Sequence, residues 1–165
     1  MHMTRSNRVV STTAAAVLAM VTLTAAPAFA DGSSGHSSSG HSVLRAPLMG
    51  STPVVSPMIA GINPGGVAWV NGPSSVRVRR DGRISVTIRG LVLVTTGANP
   101  LPSMVATLVC DNMVKASTAP FALSPAGNGS TSDKISVPRH CQDPTVLIQP
   151  AGRPIYIASA MGEDD

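Results

Sequence analysis

Two alternating runs, Val76-Arg77-Val78-Arg79 and Ile84-Ser85-Val86-Thr87-Ile88, flank the four residues Arg80-Asp81-Gly82-Arg83. Strict period-two alternation is the pattern of a strand with one face in a core. The connecting turn decides which residues share a face. A two-residue Asp81-Gly82 turn sets Arg80 against Arg83 and Arg77 against Val86, mixing polar and apolar groups on both faces. A three-residue loop, 80–82, pairs Val78 with Ile84 and Val76 with Val86. It also places Gly82 at the left-handed position that a type I turn with a bulge requires. Because a one-residue slip reverses every side chain, face parity selects the three-residue loop. Arg77, Arg79, Arg83 and Arg89 then point outward, Arg77 opposite Ser85 and Arg79 opposite Arg83, with Arg80 in the loop.

The rest of the chain has the same texture. Short β-branched runs are punctuated by 14 Pro and 15 Gly in 165 residues. One Glu and two Lys are too few for long soluble helices. Strands are expected near 67–70, 75–80, 83–94, 103–110, 113–122, 133–137, 145–149 and 155–160. Seven or eight strands at this spacing predict an all-β domain over 58–165, a single antiparallel β-sandwich, immunoglobulin-like or related. Leu91–Val94, Val146–Ile148 and Ile155–Ile157 are apolar on both faces, as in strands that are central or covered on two sides. The immunoglobulin pattern departs in one detail: Trp69 precedes both cysteines instead of lying between them.

The first thirty residues read as an address. Arg5 and Arg8 form a basic start, Ala14 to Ala26 is uncharged and mostly apolar, and Ala28-Phe29-Ala30 has small residues where a signal peptidase cuts. The apolar run is shorter than the roughly 20 residues of a membrane span. Export with cleavage after Ala30 is expected, with no membrane anchor afterwards and an extracellular destination. The cut would remove two of the twelve basic residues, so the formal charge would fall from +4 to +2. Residues 31–57 are expected to be a disordered Ser/Gly/His/Pro linker arm. Its first part, Asp-Gly-Ser-Ser-Gly-His-Ser-Ser-Ser-Gly-His-Ser, has no apolar group to offset an ordering cost of about 1–2 kcal/mol per residue. Its second part, broken by Pro47, Pro53 and Pro57, reads as extended.

Cys110 and Cys141 are the only cysteines. In an oxidising compartment a disulfide between them is the default, with a free thiol or an intermolecular bridge as the alternatives. Closing this loop is worth roughly 3.5–4 kcal/mol on chain-entropy arithmetic.

Several local signatures occur together: Asn63-Pro64-Gly65-Gly66 leading to Trp69-Val70, the Arg-Asp-Gly-Arg hairpin, Ile88-Arg89-Gly90-Leu91-Val92, Leu108-Val109-Cys110, Leu123-Ser124-Pro125 and Val137-Pro138-Arg139-His140-Cys141. Over residues 61–160 the chain resembles a group of small secreted actinobacterial proteins of unknown function. The resemblance implies a β-sandwich with one disulfide and no more; the group has no activity or binding residues to carry over.

Chemistry-bearing constellations are sparse. The eight acids, Asp31, Asp81, Asp111, Asp133, Asp143, Glu163, Asp164 and Asp165, fall in the linker, in turns, at strand edges or at the end of the chain. None lies in a strand interior, where a tuned acid–base carboxylate would be sought. His140 adjoins a cysteine, and no Gly-x-Ser-x-Gly elbow accompanies it. The cysteines lack zinc-ligand spacing. His36 and His41 lie in Ser-Gly-His-Ser repeats and could bind copper or zinc weakly, although a hydrophilic spacer explains them as well. Trp69 follows a Gly-Gly turn in an apolar segment and is expected in the core.

Arg77, Arg79, Arg80, Arg83 and Arg89 are the one distinctive cluster. Arginine's planar fork suits phosphate, sulfate or carboxylate partners. Nucleic acid is not expected, because stacking aromatics are missing from the cluster. The reading is a secreted, non-enzymatic interaction module with no cofactor, its partner an anionic surface polymer or acidic protein. The alternatives are a weak polyanion- or metal-binding protein and, less favoured, a secreted hydrolase.

Overall fold

Val78 and Val76 face Ile84 and Val86 across neighbouring strands, in the register that parity selects. Gly82 has a φ of 88°, and its N–H donates to the Arg79 carbonyl at 3.0 Å to close the turn. A side chain at Gly82 would lie 2.5 Å from the Ile135 carbonyl oxygen, a second reason for glycine there. In the computed structural model, which describes residues 41–162, this hairpin is the centre of a four-stranded sheet.

The strands are β1 (Ser42–Pro47), β2 (Met49–Gly50), β3 (Asn63–Pro64), β4 (Trp69–Val70), β5 (Ser75–Arg79), β6 (Arg83–Ile88) and β7 (Val92–Leu93). They continue with β8 (Ser103–Cys110), β9 (Met113–Ser117), β10 (Phe121–Ala122), β11 (Gly129–Lys134), β12 (Thr145–Pro150), β13 (Ile155–Tyr156) and β14 (Ala158–Met161). The first sheet is antiparallel, in the order β1-β5-β6-β11. A larger antiparallel sheet runs β10-β8-β12-β14-β2, with β9 also paired to β8. Two ribbons complete the set, β4 with β7 antiparallel and β3 with β13 parallel.

The fold is therefore all-β, and the described residues contain no helix. It is divided more finely than a single seven- or eight-strand sandwich. One core cluster nevertheless draws on both larger sheets. Leu44, Val76, Val78, Ile84, Val86 and Ile88 come from the first, and Met104, Ala106, Leu108, Val146, Ile148, Ala158 and Ala160 from the second. Val109 and Leu147 alternate with these residues and so project from the opposite face of the larger sheet. There they meet Ile59 and Tyr156 in a separate small cluster. This explains why β12 is buried at all six positions. Trp69 lies in the main core.

The expected strand 113–122 is split into β9 and β10, and the expected 133–137 lies earlier, as β11. Two further differences shape the fold. Residues 42–57 are not a disordered arm. Leu44, Ala46 and Leu48 alternate with Arg45 and Pro47, all three apolar side chains are buried, and β1 covers the edge of β5. Core burial repays the ordering cost that the polar stretch before it cannot offset. Met49 pairs with Ser159, so this segment also completes the larger sheet. Residues 31–40 of the expected arm, the expected signal segment 1–30 and the acids 163–165 lie outside the described residues.

Second, the expected strand 83–94 is interrupted. Gly90, at φ 60°, turns the chain, and Val92–Leu93 leaves the four-stranded sheet to pair with Trp69–Val70. Leu91 is buried, whereas Val94 is 55% exposed.

A Cys110–Cys141 disulfide joins the end of β8 to the irregular segment before β12. The N–H of Asp111 donates to the Gln142 carbonyl alongside it at 2.9 Å. Among the described residues no helix is long and apolar enough to cross a membrane.

Candidate functional site: a cationic sheet face

Strand parity sorts β1, β5, β6 and β11 into two faces. The inner face is sealed by Leu44, Val78, Ile84, Val76, Val86 and Ile88. The outer face is set by the pairings Arg45↔Arg77, Arg77↔Ser85 and Ser85↔Ser132, which form one row across four strands. The neighbouring row holds Arg79 and Arg83, which bracket the 80–82 loop, and Lys134, which pairs with Arg83. The third holds Pro47, Ser75, Thr87 and Ser130. Neighbouring strands are about 4.8 Å apart, and successive same-face residues about 6.8 Å. Five cations, Arg45, Arg77, Arg79, Arg83 and Lys134, therefore share two adjacent rows.

The sequence cluster is gathered only in part. Arg77, Arg79 and Arg83 are neighbours. Arg89 also lies outside the core, but six residues beyond Arg83, about 20 Å along the strand. Its N–H is held by the Ser74 hydroxyl at 2.9 Å at the far end of the sheet. Arg80 is at the loop tip, where a terminal nitrogen donates to the Arg139 carbonyl at 3.0 Å and its backbone N–H to the His41 carbonyl. It braces the irregular segment before Cys141. Arg45 and Lys134 join the face instead. The alternation Leu44-Arg45-Ala46 carried a signal for the first. Lys134 enters through a pairing between segments distant in sequence, which no local pattern shows.

Every strand position on this face that is not cationic carries a hydroxyl, except Pro47; Val43, at the irregularity in β1, packs against the core. Ser85 and Ser132 meet at 3.2 Å between their hydroxyl oxygens. A cleft of about 370 Å³ opens between β6 and β11, lined by Arg83, Ile84, Ser85, Ser132, Asp133 and Lys134. A second, of about 330 Å³, lies at the hairpin end against His41, Arg79, Arg80 and Asp81.

The nearby carboxylates are largely occupied. Asp133 sits on the opposite parity and accepts from the backbone N–H groups of Ala119 at 2.8 Å and Lys134 at 2.7 Å. These two bonds, that from Ala119 foremost, hold its carboxyl below the usual carboxylate range, against a small opposing effect of desolvation. Asp81 accepts from the Arg83 N–H at 3.1 Å and lies 3.8 Å from the Arg83 Nε, an exposed pair with little net energy. No strand residue of the outer face is acidic.

Arg77 is half-buried beneath its neighbours, and its Nε–H is covered without an acceptor among the described residues. An unsatisfied buried donor typically costs about 1–3 kcal/mol. Among the described residues it is the one buried side-chain polar atom without a partner, and it belongs to a residue of the cationic face.

Comparison with known proteins adds no template: no family model, curated protein or solved structure matches the chain. Among the described residues no three His, Cys, Asp or Glu side chains gather closely enough to hold a metal ion. His36 lies outside the described residues, so the expected His36/His41 pair cannot be placed. His140 is exposed beside the half-buried Cys141.

Proposed function

We propose that this protein is a secreted, non-enzymatic β-sandwich module that associates with an anionic partner through the outer face of its four-stranded sheet. The single observation that carries the reading is the charge asymmetry of that face: Arg45, Arg77, Arg79, Arg83 and Lys134 in adjacent rows, with no acidic strand residue among them. Like charges this close repel one another. At physiological salt the Debye length is about 8 Å, so neighbouring rows are incompletely screened. A fixed negative partner relieves the repulsion and adds charge-assisted hydrogen bonds to the guanidinium forks.

Export is supported by the segment 1–30, with cleavage after Ala30, and by a disulfide of the kind that persists in oxidising compartments. A two-sheet sandwich is supported by the core cluster that both larger sheets share.

Replacing Arg77, Arg79 and Arg83 together by Ser tests the reading. Retention of the intact protein on an anionic matrix should be lost in the triple variant, with the thermal midpoint little changed. Wild-type retention should also vanish near 0.5 M salt, where the Debye length is about 4 Å. Retention that survives either treatment rejects the reading.

A further inference from the structure

The aromatic side chains of the described residues are Trp69, Phe121 and Tyr156. Trp69 and Phe121 pack in or against the main core, and Tyr156 in the small cluster on the far face of the larger sheet. The cationic face therefore consists of guanidinium, ammonium and hydroxyl groups, with Pro47 at its edge.

That composition discriminates among anionic partners. Single-stranded nucleic acid is held by charge together with bases stacked on aromatic rings. A sulfated polysaccharide is held chiefly through its sulfates by Arg and Lys, but the apolar faces of its rings find no aromatic side chain on this face. An acidic protein draws most of its binding energy from a few anchors desolvated together at the centre of an interface, whereas these cations are spread over two rows and Arg45, Arg83 and Lys134 are exposed. Each of these leaves part of its recognition chemistry unmet on two rows of cations and hydroxyls. A linear phosphodiester polymer whose repeats are short polyols is satisfied by them. Such a polymer has no ring to stack, one charge per repeat, and two non-bridging oxygens that accept from guanidinium or hydroxyl donors.

We infer that the outer face of β1, β5, β6 and β11 binds a ringless polyol-phosphate polymer, successive phosphates lying over the Arg79–Arg83–Lys134 row and the Arg45–Arg77 row. This rests on the anionic-partner reading above and narrows it to one chemistry. The cleft between β6 and β11 seats one phosphate, with Arg83 and Lys134 supplying charge and Ser85 and Ser132 supplying hydroxyl donors, while the Asp133 carboxylate that also lines it is taken up by the Ala119 and Lys134 N–H groups. The adjacent row lies about 6.8 Å away along the strands, within reach of the next phosphate across a short polyol spacer. The half-buried Arg77 and the exposed Arg45 pair across β1 and β5 and supply the charge for that second phosphate. Asp81, beside Arg83, competes for its charge.

The test titrates the intact exported protein with four probes of matched charge: poly(glycerol phosphate), heparin, an oligo-deoxythymidine and poly-glutamate. Poly(glycerol phosphate) should bind about tenfold or more tightly than the other three, a difference of about 1.4 kcal/mol. Arg83→Ser should weaken it and lower the slope of log affinity against log salt by about one. The pair Ser85→Ala with Ser132→Ala should weaken it severalfold and leave that slope unchanged, because hydroxyls displace no counterions. Asp81→Asn, which keeps the turn acceptor, should tighten it. If heparin, the oligonucleotide or poly-glutamate binds equally well, or the double alanine variant binds like wild type, the phosphodiester assignment is overturned and the anionic-partner reading stands. If no probe binds, both fail.

Discussion

Leu44 pairs with Val78 across neighbouring strands, and both side chains are sealed in the core, 3% and 0% exposed. The first strand is thus part of the core, although it directly follows a stretch with no apolar residue. Leu44→Ala should lower unfolding free energy by about 2–5 kcal/mol, the range for deleting a buried leucine side chain. A chain that starts at residue 58 should fail to give a cooperative transition. Denaturant unfolding of the point variant and thermal melting of the truncation check both. A truncation that melts like the full chain would show that β1 is dispensable.

The Cys110–Cys141 bridge encloses β9, β10 and β11 in its 31-residue span and anchors the irregular stretch before β12. Non-reducing mass analysis should find no free thiol in exported protein. Cys110→Ser should lower stability by about 2–5 kcal/mol, as should reduction of the wild type. A variant with an unchanged midpoint would mean that the backbone bond from Asp111 to Gln142 suffices.

The Asp133 carboxylate ties Ala119, before β10, to the edge strand β11. Its folded pKa lies below its unfolded one, so its contribution is complete above the unfolded value and disappears as pH falls through the folded value. Asp133→Asn should therefore melt lower than wild type at neutral pH, and the two should converge in strong acid. A constant gap at all pH values would assign the effect to side-chain shape, not charge.

Tyr156 is the only tyrosine, and its hydroxyl donates to the Pro57 carbonyl. Burial pushes its phenol upward, while a hydrogen bond with Ser56 opposes the shift. Ultraviolet titration should show ionisation above the usual tyrosine range, near 10. Because the folded pKa is raised, the stabilisation holds below the unfolded pKa and is lost as pH rises through the folded one. Ionisation at the value of a free phenol would show that the 57–62 loop does not cover the ring.

The hairpin was legible to its register because period two leaves a single turn length that keeps Val76, Val78, Ile84 and Val86 together. The buried β12 was legible because Val146-Leu147-Ile148 is apolar at every position. β1 was hidden by its neighbours: Leu44-Arg45-Ala46 has the right alternation, but three prolines and the Ser-Gly-His stretch dominate that part of the chain. The cationic face was half legible. Its members from the hairpin are local, whereas Arg45 and Lys134 arrive from strands that only the assembled sheet brings alongside. Arg89 misled for the converse reason: being close in sequence on an extended strand still means about 20 Å of separation.

The pairing of Ser159 with Met49 also bears on timing. A strand near the amino end of the domain is completed by one near its carboxyl end, and the Gly162 backbone abuts the Leu44 side chain. A chain that emerges amino end first can pair β1 with β5 early but holds the Met49–Gly50 edge unpaired until roughly 110 residues later, when β14 arrives, and contacts this distant in sequence form late and slowly. During that interval the molecule is an open set of hairpins with exposed edges. The arginines and Pro47 that line its outer face and first edge give the half-built protein some protection against pairing with another copy of itself.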